Sequence, residues 1–219
     1  MRRRMRSVRL AALGFLVVAA TSGAGAKQCG DDVPCDCGDV LVASRRLSGA
    51  DSITTHPCPG VGLVVDVPAG RPAATLDLAG AIVSGTGRGA GIQVLGGGDG
   101  GLTIAGPGEV RGFGTGVLAP GHGLARVVDV LARDNQRDGF DLGGAGYAVT
   151  NCEASGNGRD GFRLRGTGIR LEGSRATDND RQGFRIVGRQ VATPALLSEA
   201  TGNRAADFTV RAPRRHRGR

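Results

Sequence analysis

Hydrophobic and polar positions follow one pattern that occurs four times in the C-terminal half of the chain. Each copy reads Ala-x-(Asp or Gly)-Asn, then four residues, then Phe-x-hydrophobic. The copies cover residues 132–142, 154–164, 176–186 and 200–210. Their phenylalanines, which are Phe140, Phe162, Phe184 and Phe208, are spaced by 22, 22 and 24 residues.

A repeat of this length is typical of a solenoid or a related array. The density of Gly, Asn and Asp disfavours helices, so the pattern predicts short strands joined by turns. A 22-residue unit suits one turn of a parallel β-helix, whose coils stack at roughly 4.8 Å. Crossover connections between parallel strands are strongly biased to the right-handed sense. We therefore predict an all-β, right-handed parallel β-helix.

Equivalent side chains of successive coils are expected to stack in columns. Both apolar side chains of Phe-x-hydrophobic point inward, because a strand alternates its faces. Asn tolerates the left-handed backbone of a sharp corner, and stacked amides can bond along the axis. We predict such a ladder at Asn135, Asn157, Asn179 and Asn203. Small inward positions are predicted for Val130, Cys152, Ser174 and Ser198, with Ala195 in register with Leu171.

Two looser coils precede the four copies, with Ile92 and Val117 in the place of Phe. Together they predict a β-helix over residues 74–210 with about six coils. Residues 27–73 are strand-like without the repeat and are predicted to form a cap, because an open solenoid end exposes a sheet edge. Residues 211–219 read as a basic, disordered tail.

The first 26 residues have the features of a secretory signal. Five arginines precede a short apolar run, and Ala24-Gly25-Ala26 resembles a cleavage site. The run is too short to span a membrane as a helix, although a retained N-terminal anchor is the alternative. We therefore expect an exported protein, periplasmic or extracellular, with no membrane span in the mature chain.

The cysteines agree with export. Four of them, Cys29, Cys35, Cys37 and Cys58, crowd the start of the mature chain. In an oxidising compartment such a cluster indicates two disulfides, and we favour Cys29–Cys35 and Cys37–Cys58. A zinc site that adds His56 is the alternative, but the spacing matches no standard zinc module. Cys152 is expected to be a small buried side chain.

The excess of basic residues belongs to the two ends of the chain. The whole chain carries 28 basic and 20 acidic residues, whereas the body without the signal and the tail has a net charge of −2. The chain has no Trp and a single Tyr. These features disfavour a nucleic-acid partner.

Three segments resemble the opening of bacterial exported proteins with right-handed parallel β-helix repeats, of the pectin-lyase-like superfamily. They are CGDVL at 37–41, CPGVGLVV at 58–65 and ATLDLAGAIVSG at 74–85. The resemblance covers roughly residues 37–210. It implies the fold, but the superfamily includes lyases, hydrolases, epimerases, adhesins and maturation factors, so it does not select a function.

The sequence contains only part of the catalytic residues that the enzymes of this superfamily use. A lyase would need calcium ligands converging at one spot. The acidic residues expected on the outer surface are spread along the coils, and they are Asp134, Asp138, Asp141, Asp160, Asp178 and Asp180. Gly121-His122-Gly123 resembles a hydrolase motif without the acids that should precede it, so His122 is interpreted as a turn residue. We predict no catalytic residue, metal or cofactor.

Arginines form two regular rows. Arg137, Arg159 and Arg181 lie three residues before successive phenylalanines, and Arg163 and Arg185 follow Asp141 in a second row. Rows of guanidinium groups suit a polymer with regular carboxylates or sulfates. The alternative is a mixed solvated surface in which neighbouring aspartates neutralise the rows.

Three hypotheses follow. The first is a non-catalytic exported scaffold that binds an acidic polysaccharide through these arginines. The second is a carbohydrate-active enzyme acting on uronate-containing glycans through Arg163 or Arg185 with Asp138 and Asp160. The third is a structural factor that binds a cell-envelope protein.

Overall fold

The computed structural model describes residues 26–189 and 198–212 as an all-β parallel solenoid of about seven turns. The predicted signal (apart from Ala26), most of the predicted tail and Ala195 lie outside the described residues. A 3-10 helix spans Ser52–Thr54. The strands are β1 (Gln28–Cys29), β2 (Asp39–Leu41), β3 (Arg45–Arg46), β4 (Leu63–Val67), β5 (Ala74–Asp77), β6 (Ile82–Ser84), β7 (Ala90–Gly97), β8 (Leu102–Arg111), β9 (Thr115–Ala119), β10 (Leu124–Arg133), β11 (Phe140–Ala145), β12 (Ala148–Thr150), β13 (Glu153–Ser155), β14 (Phe162–Thr167), β15 (Arg170–Glu172), β16 (Arg175–Thr177), β17 (Phe184–Arg189), β18 (Glu199–Thr201) and β19 (Phe208–Arg211).

Two sheets run along the solenoid axis. The nine-stranded sheet has the order β1-β2-β4-β7-β9-β11-β14-β17-β19. The ten-stranded sheet has the order β18-β16-β13-β10-β8-β5-β3, with β12 on β10, β15 on β12 and β6 on β8. Neighbouring strands in each sheet are parallel, because each coil lays its strand on the equivalent strand of the coil before it.

Stacking in register produces the predicted hydrophobic columns. Phe140 pairs with Phe162, which pairs with Phe184, and adjacent rings are stacked with centroids 4.7 Å apart. Towards the N-terminus, Val117 and Ile92 take the same place in the nine-stranded sheet, as predicted. The second inward column contains Leu142, Leu164 and Ile186, all fully buried. The core is therefore a set of columns of like side chains.

The N-terminal segment contains both predicted disulfides, Cys29–Cys35 and Cys37–Cys58. The zinc interpretation is wrong, because these sulfurs are bonded to one another. Strands β1, β2 and β4 of this segment also belong to the nine-stranded sheet. Residues 27–73 therefore continue the solenoid, which is why it has about seven turns where the repeat alone predicts about six.

A buried ion pair that the sequence did not indicate reinforces this end. Asp51 is fully buried and accepts two hydrogen bonds from Arg45, both 2.9 Å long. It also accepts the backbone N–H groups of Cys35 and Ser48 at 2.8 Å. A buried carboxylate with this many donors ties the disulfide-bonded loop to the first coils.

The predicted asparagine ladder is present, and Asn135, Asn157 and Asn179 in it are buried. Asn157 Oδ1 accepts the backbone N–H of Asn135 at 3.1 Å and its Nδ2 at 3.0 Å. Asn157 Nδ2 in turn donates to Asn179 Oδ1 at 2.9 Å, and Asn179 repeats the bond to Asn203. Each amide thus satisfies buried groups of the adjacent coils, which is the condition for a polar column inside a core.

The backbone prediction for these asparagines is wrong by one residue. The left-handed conformation belongs to the preceding position, with φ of 54° at Asp134, 62° at Gly156, 55° at Asp178 and 69° at Gly202. Asp and Gly alternate there because a Cβ on Gly156 would lie 2.9 Å from Asp134 Oδ1. The aspartate side chain of one coil therefore occupies the space above the glycine of the next.

The last described coil leaves its inward side chains partly uncovered. Phe208 stacks on Phe184 at 4.7 Å but is 45% exposed, and Val210 is 60% exposed. Phe184 and Ile186, one coil earlier, are fully buried. Burial of the column therefore depends on having a coil on each side.

We expect Phe162→Ala to destabilise the solenoid by about 3–5 kcal/mol, because it removes a fully buried ring from the middle of the column. Urea unfolding followed by circular dichroism measures this loss. Phe208→Ala is the matched control, since Phe208 has a ring on one side only, and its cost should be less than about half as large. If both variants lost the same free energy of unfolding, burial of the ring between two coils would not be the source of the stability.

Asn157→Ala should cost about 1–3 kcal/mol, because it leaves the buried N–H groups of Asn135 without their acceptor. Thermal unfolding of Asn157→Ala and Asn203→Ala gives the comparison. Asn203 is the better exposed end of the ladder, so its variant should be milder. A larger loss at Asn203 would show that the ladder does not act through burial.

Candidate ligand-binding surface

The predicted turn arginines form one exposed column beside the nine-stranded sheet. The backbone N–H of Arg159 donates to the carbonyl of Arg137 at 2.8 Å, and that of Arg181 donates to the carbonyl of Arg159 at 3.0 Å. Ala205 continues the backbone column without a charge. Bonds along the axis hold the three Cα atoms one coil apart, so the guanidinium groups start from evenly spaced, rigid positions.

Within the described part of the chain, this column has no acidic partner. Across residues 26–189 and 198–212, no carboxylate lies within 4.0 Å of the guanidinium nitrogens of Arg137, Arg159 or Arg181. All three residues are exposed. Among the described residues these three side chains therefore form no direct ion pair, and their guanidinium groups are free to contact an anionic ligand.

The second predicted row is different, because its arginines already have acidic partners. Arg163 lies 3.5 Å from Asp141 and Arg185 lies 3.6 Å from Asp160. Arg165, beside this row, also contacts Asp141, at 2.7 Å. In this row, aspartates therefore pair with the arginines, as the mixed-surface alternative expects.

Three aspartates expected on the outer surface are buried, which corrects the prediction. Asp138, Asp160 and Asp141 are 1%, 2% and 7% exposed. Asp138 Oδ1 accepts the N–H of Asp160 at 3.1 Å, and Asp160 Oδ1 accepts that of Gln182 at 3.3 Å. Asp138 and Asp160 turn inward to satisfy the backbone of the following coil, and none of the three carboxylates pairs with Arg137, Arg159 or Arg181.

Among these three aspartates, Asp138 has a buried carboxylate oxygen, Oδ2, without a hydrogen-bond partner in the part of the chain that the structure describes. Burial raises the pKa of this carboxyl, and the negative charges of Asp160 and Asp141 raise it further, against the N–H of Asp160 and the charge of Arg163. Asp138 is thus a carboxyl whose ionised form the fold disfavours.

The acid–base chemistry of the enzyme hypothesis gains little from this geometry. A general acid and base must reach the bond that they cleave. Asp138 and Asp160 are vertical neighbours, as predicted, but both are almost fully buried. His122 lies in an exposed bend. Burial raises the pKa of Cys152 to about 12, so its thiol is protonated at neutral pH.

The described residues also provide no convincing cation site. A single group of three potential ligands converges there, at Asp36, Cys37 and His56. Cys37 is bonded to Cys58, so its sulfur is not a thiolate that could bind a metal. The carboxylates of the described coils do not form such a group.

A recess of about 400 Å³ lies at the N-terminal end of the arginine column. Its lining combines glycines with a few polar and basic side chains. The residues are Gly87, Arg88, Gly89, Ala90, Gln93, Gly114, Thr115, Leu118, Gln136 and Arg137.

The sequence analysis does not predict this recess, although the spacing of the repeat contains an indication of it. Counting three residues back from Val117 and Ile92 gives Gly114 and Gly89, where the later coils have arginine. The same spacing, continued towards the N-terminus, therefore predicts that the arginine side chains are replaced by glycine in the two preceding coils.

Comparison of the chain with known protein families, curated proteins and solved structures finds no match in any of the three. Among the described residues, no helix has the length and apolar character needed to cross a membrane.

Asp138→Asn should stabilise the protein by about 1 kcal/mol at pH 7, because it replaces a buried carboxylate, whose Oδ2 has no hydrogen-bond partner among the described residues, with a neutral amide. The raised pKa means that wild type loses stability as pH rises through the folded-state pKa, so the difference should shrink below about pH 4. Thermal unfolding across pH 3–8 measures it.

Asp51→Asn is the control with the opposite sign. Burial raises the pKa of Asp51, but its hydrogen bonds with Arg45, Cys35 and Ser48 together lower it below the usual value. The variant should be less stable than wild type at pH 7, and the loss should diminish as pH falls through the folded-state pKa of Asp51. The same pH trend for both variants would refute this account of Asp138.

Proposed function

We propose that this protein is an exported, non-catalytic β-solenoid that binds an acidic polysaccharide through Arg137, Arg159 and Arg181. The exposed arginine column, which forms no ion pair with a carboxylate of residues 26–189 and 198–212, is the observation that carries the proposal. Guanidinium groups bind carboxylates and sulfates in a fork, and a polymer can present several such groups in a row.

The rigidity of the column favours binding. Each arginine backbone is bonded to the coil before it, and adjacent coils lie 4.7 Å apart by the spacing of the phenylalanine rings. A ligand with anionic groups at a similar interval can contact several arginines without reordering the backbone, which lowers the entropic cost of association.

Export is supported by the two disulfides at the N-terminal end. Disulfides persist in oxidising compartments, which agrees with a periplasmic or extracellular location. The resemblance to exported β-helix proteins of the pectin-lyase-like superfamily belongs to the same proposal, and the parallel solenoid is consistent with it.

The non-catalytic part of the proposal rests on accessibility. The paired acids of the enzyme alternative, Asp138 and Asp160, are held inside by bonds to the next coil. The arginines named for that alternative, Arg163 and Arg185, contact Asp141 and Asp160. Binding needs only the free column, whereas catalysis would require this network to open.

The test compares wild type with an Arg137→Gln/Arg159→Gln/Arg181→Gln variant in binding to polygalacturonate and chondroitin sulfate. We expect affinity to fall about threefold to 150-fold, since three exposed ion pairs contribute roughly 0.2–1 kcal/mol each. Wild-type binding should also weaken with added salt.

The matched control is Arg126→Gln/Arg170→Gln/Arg189→Gln. It removes the same charge from exposed positions on strands β10, β15 and β17, away from the turn arginines. Its affinity should stay within about twofold of wild type. Equal binding by wild type and the column variant would refute the site. Equal loss in both variants would show that only net charge matters.

A further inference from the structure

We propose that the recess beside Arg137 is a subsite for one pyranose ring of the bound chain, and that it makes the surface select acidic glycans over other linear polyanions. This inference rests on the proposed function, because the ring would belong to the polymer that lies on the arginine column.

The recess exists because the column loses its side chains. The N–H of Arg137 donates to the carbonyl of Gly114 at 2.8 Å, and the N–H of Thr115 donates to the carbonyl of Gly89 at 3.1 Å. Gly89 and Gly114 thus continue the backbone column below Arg137. A polymer that follows the arginines in this direction reaches the recess, which both glycines line.

Glycine is required at both positions by the stacking itself. A Cβ on Gly114 would lie 2.7 Å from the carbonyl oxygen of Gly89, and one on Gly89 would lie 2.7 Å from the backbone of Gly60. Gly89 also has a φ of +63°. The hollow is therefore part of the rigid frame, and it is present before any ligand binds.

The lining suits a hydroxylated ring with one negative charge. Gln93 and Gln136 offer amides that both donate and accept hydrogen bonds, as sugar hydroxyls require. Leu118 stands in register with Gln93 on the outer face of the sheet and provides an apolar surface for the C–H face of a ring.

The charge of the recess is entirely positive. Arg88 and Arg137 are exposed, no carboxylate lines the space, and neither arginine pairs with an acid in the part of the chain that the structure describes. A carboxylate or sulfate on the ring would find a guanidinium at the rim. The volume, about 400 Å³, lies within the usual range of small-molecule pockets.

These features separate two kinds of polyanion. Polyphosphate can pair with Arg137, Arg159 and Arg181, but it has no ring to place against Leu118 and no hydroxyls for the two glutamines. An acidic glycan can use both parts of the surface. The column alone would bind either ligand, so selection must come from the recess.

The experiment fills the recess with Leu118→Trp and measures Kd by titration calorimetry for trigalacturonate and for a short polyphosphate. Leu118 is on the outer face and only partly buried, so the larger ring does not enter the core. We expect trigalacturonate to bind about tenfold more weakly, because the indole occupies the space that a sugar ring would fill, with polyphosphate unchanged.

Leu95→Trp is the matched control, because Leu95 is 53% exposed and does not line the recess. Its affinities should equal those of wild type. A second variant, Gln93→Ala, keeps the space open and removes one amide. It should weaken trigalacturonate binding about threefold or more, as expected for a lost polar contact, again without affecting polyphosphate.

The outcomes distinguish the two proposals. If Leu118→Trp and Gln93→Ala bind trigalacturonate as wild type does, or lose both ligands equally, the recess inference is overturned. If the arginine-column variant alone loses polysaccharide binding, the proposed function stands without the recess. If the column variant still binds polysaccharide, the proposed function fails whatever the recess does.

Discussion

The structure depends on one constraint, which is that each coil must lie directly on the one before it. Parallel backbone hydrogen bonds set this register, and the phenylalanine rings follow at 4.7 Å. The same register brings amide over amide in the asparagine ladder. Similar side chains can therefore recur from coil to coil, and a repeat in the sequence becomes a column in space.

This constraint also decides which charges reach solvent. The turn before each phenylalanine strand has backbone N–H groups that need acceptors, and Asp138 and Asp160 turn inward to supply them. Asp141 and Asp160 then contact the arginines of the strand. The turn arginines are left with no partner among these acids. A surface that looks balanced in composition thus becomes a positive column beside buried carboxylates.

Glycine contributes to the surface by what it leaves out. The first coils carry Gly89 and Gly114 where later coils carry Arg137, Arg159 and Arg181, because the backbones approach too closely there for a Cβ. The result is a charged ridge that ends in a recess. Both features come from the same column, and a single ligand chain could lie along them.

The repeat by itself determined the parallel solenoid, the phenylalanine and asparagine columns and the arginine rows, since period and alternation translate directly into stacking. The cysteine cluster likewise indicated both disulfides. Only the tertiary structure decided which carboxylates turn inward, where the left-handed residue lies and which arginines remain unpaired. Those outcomes depend on hydrogen bonds between coils and on space around the backbone. A one-dimensional pattern records neither, because residues 22 positions apart in the chain become neighbours only when the coils are stacked.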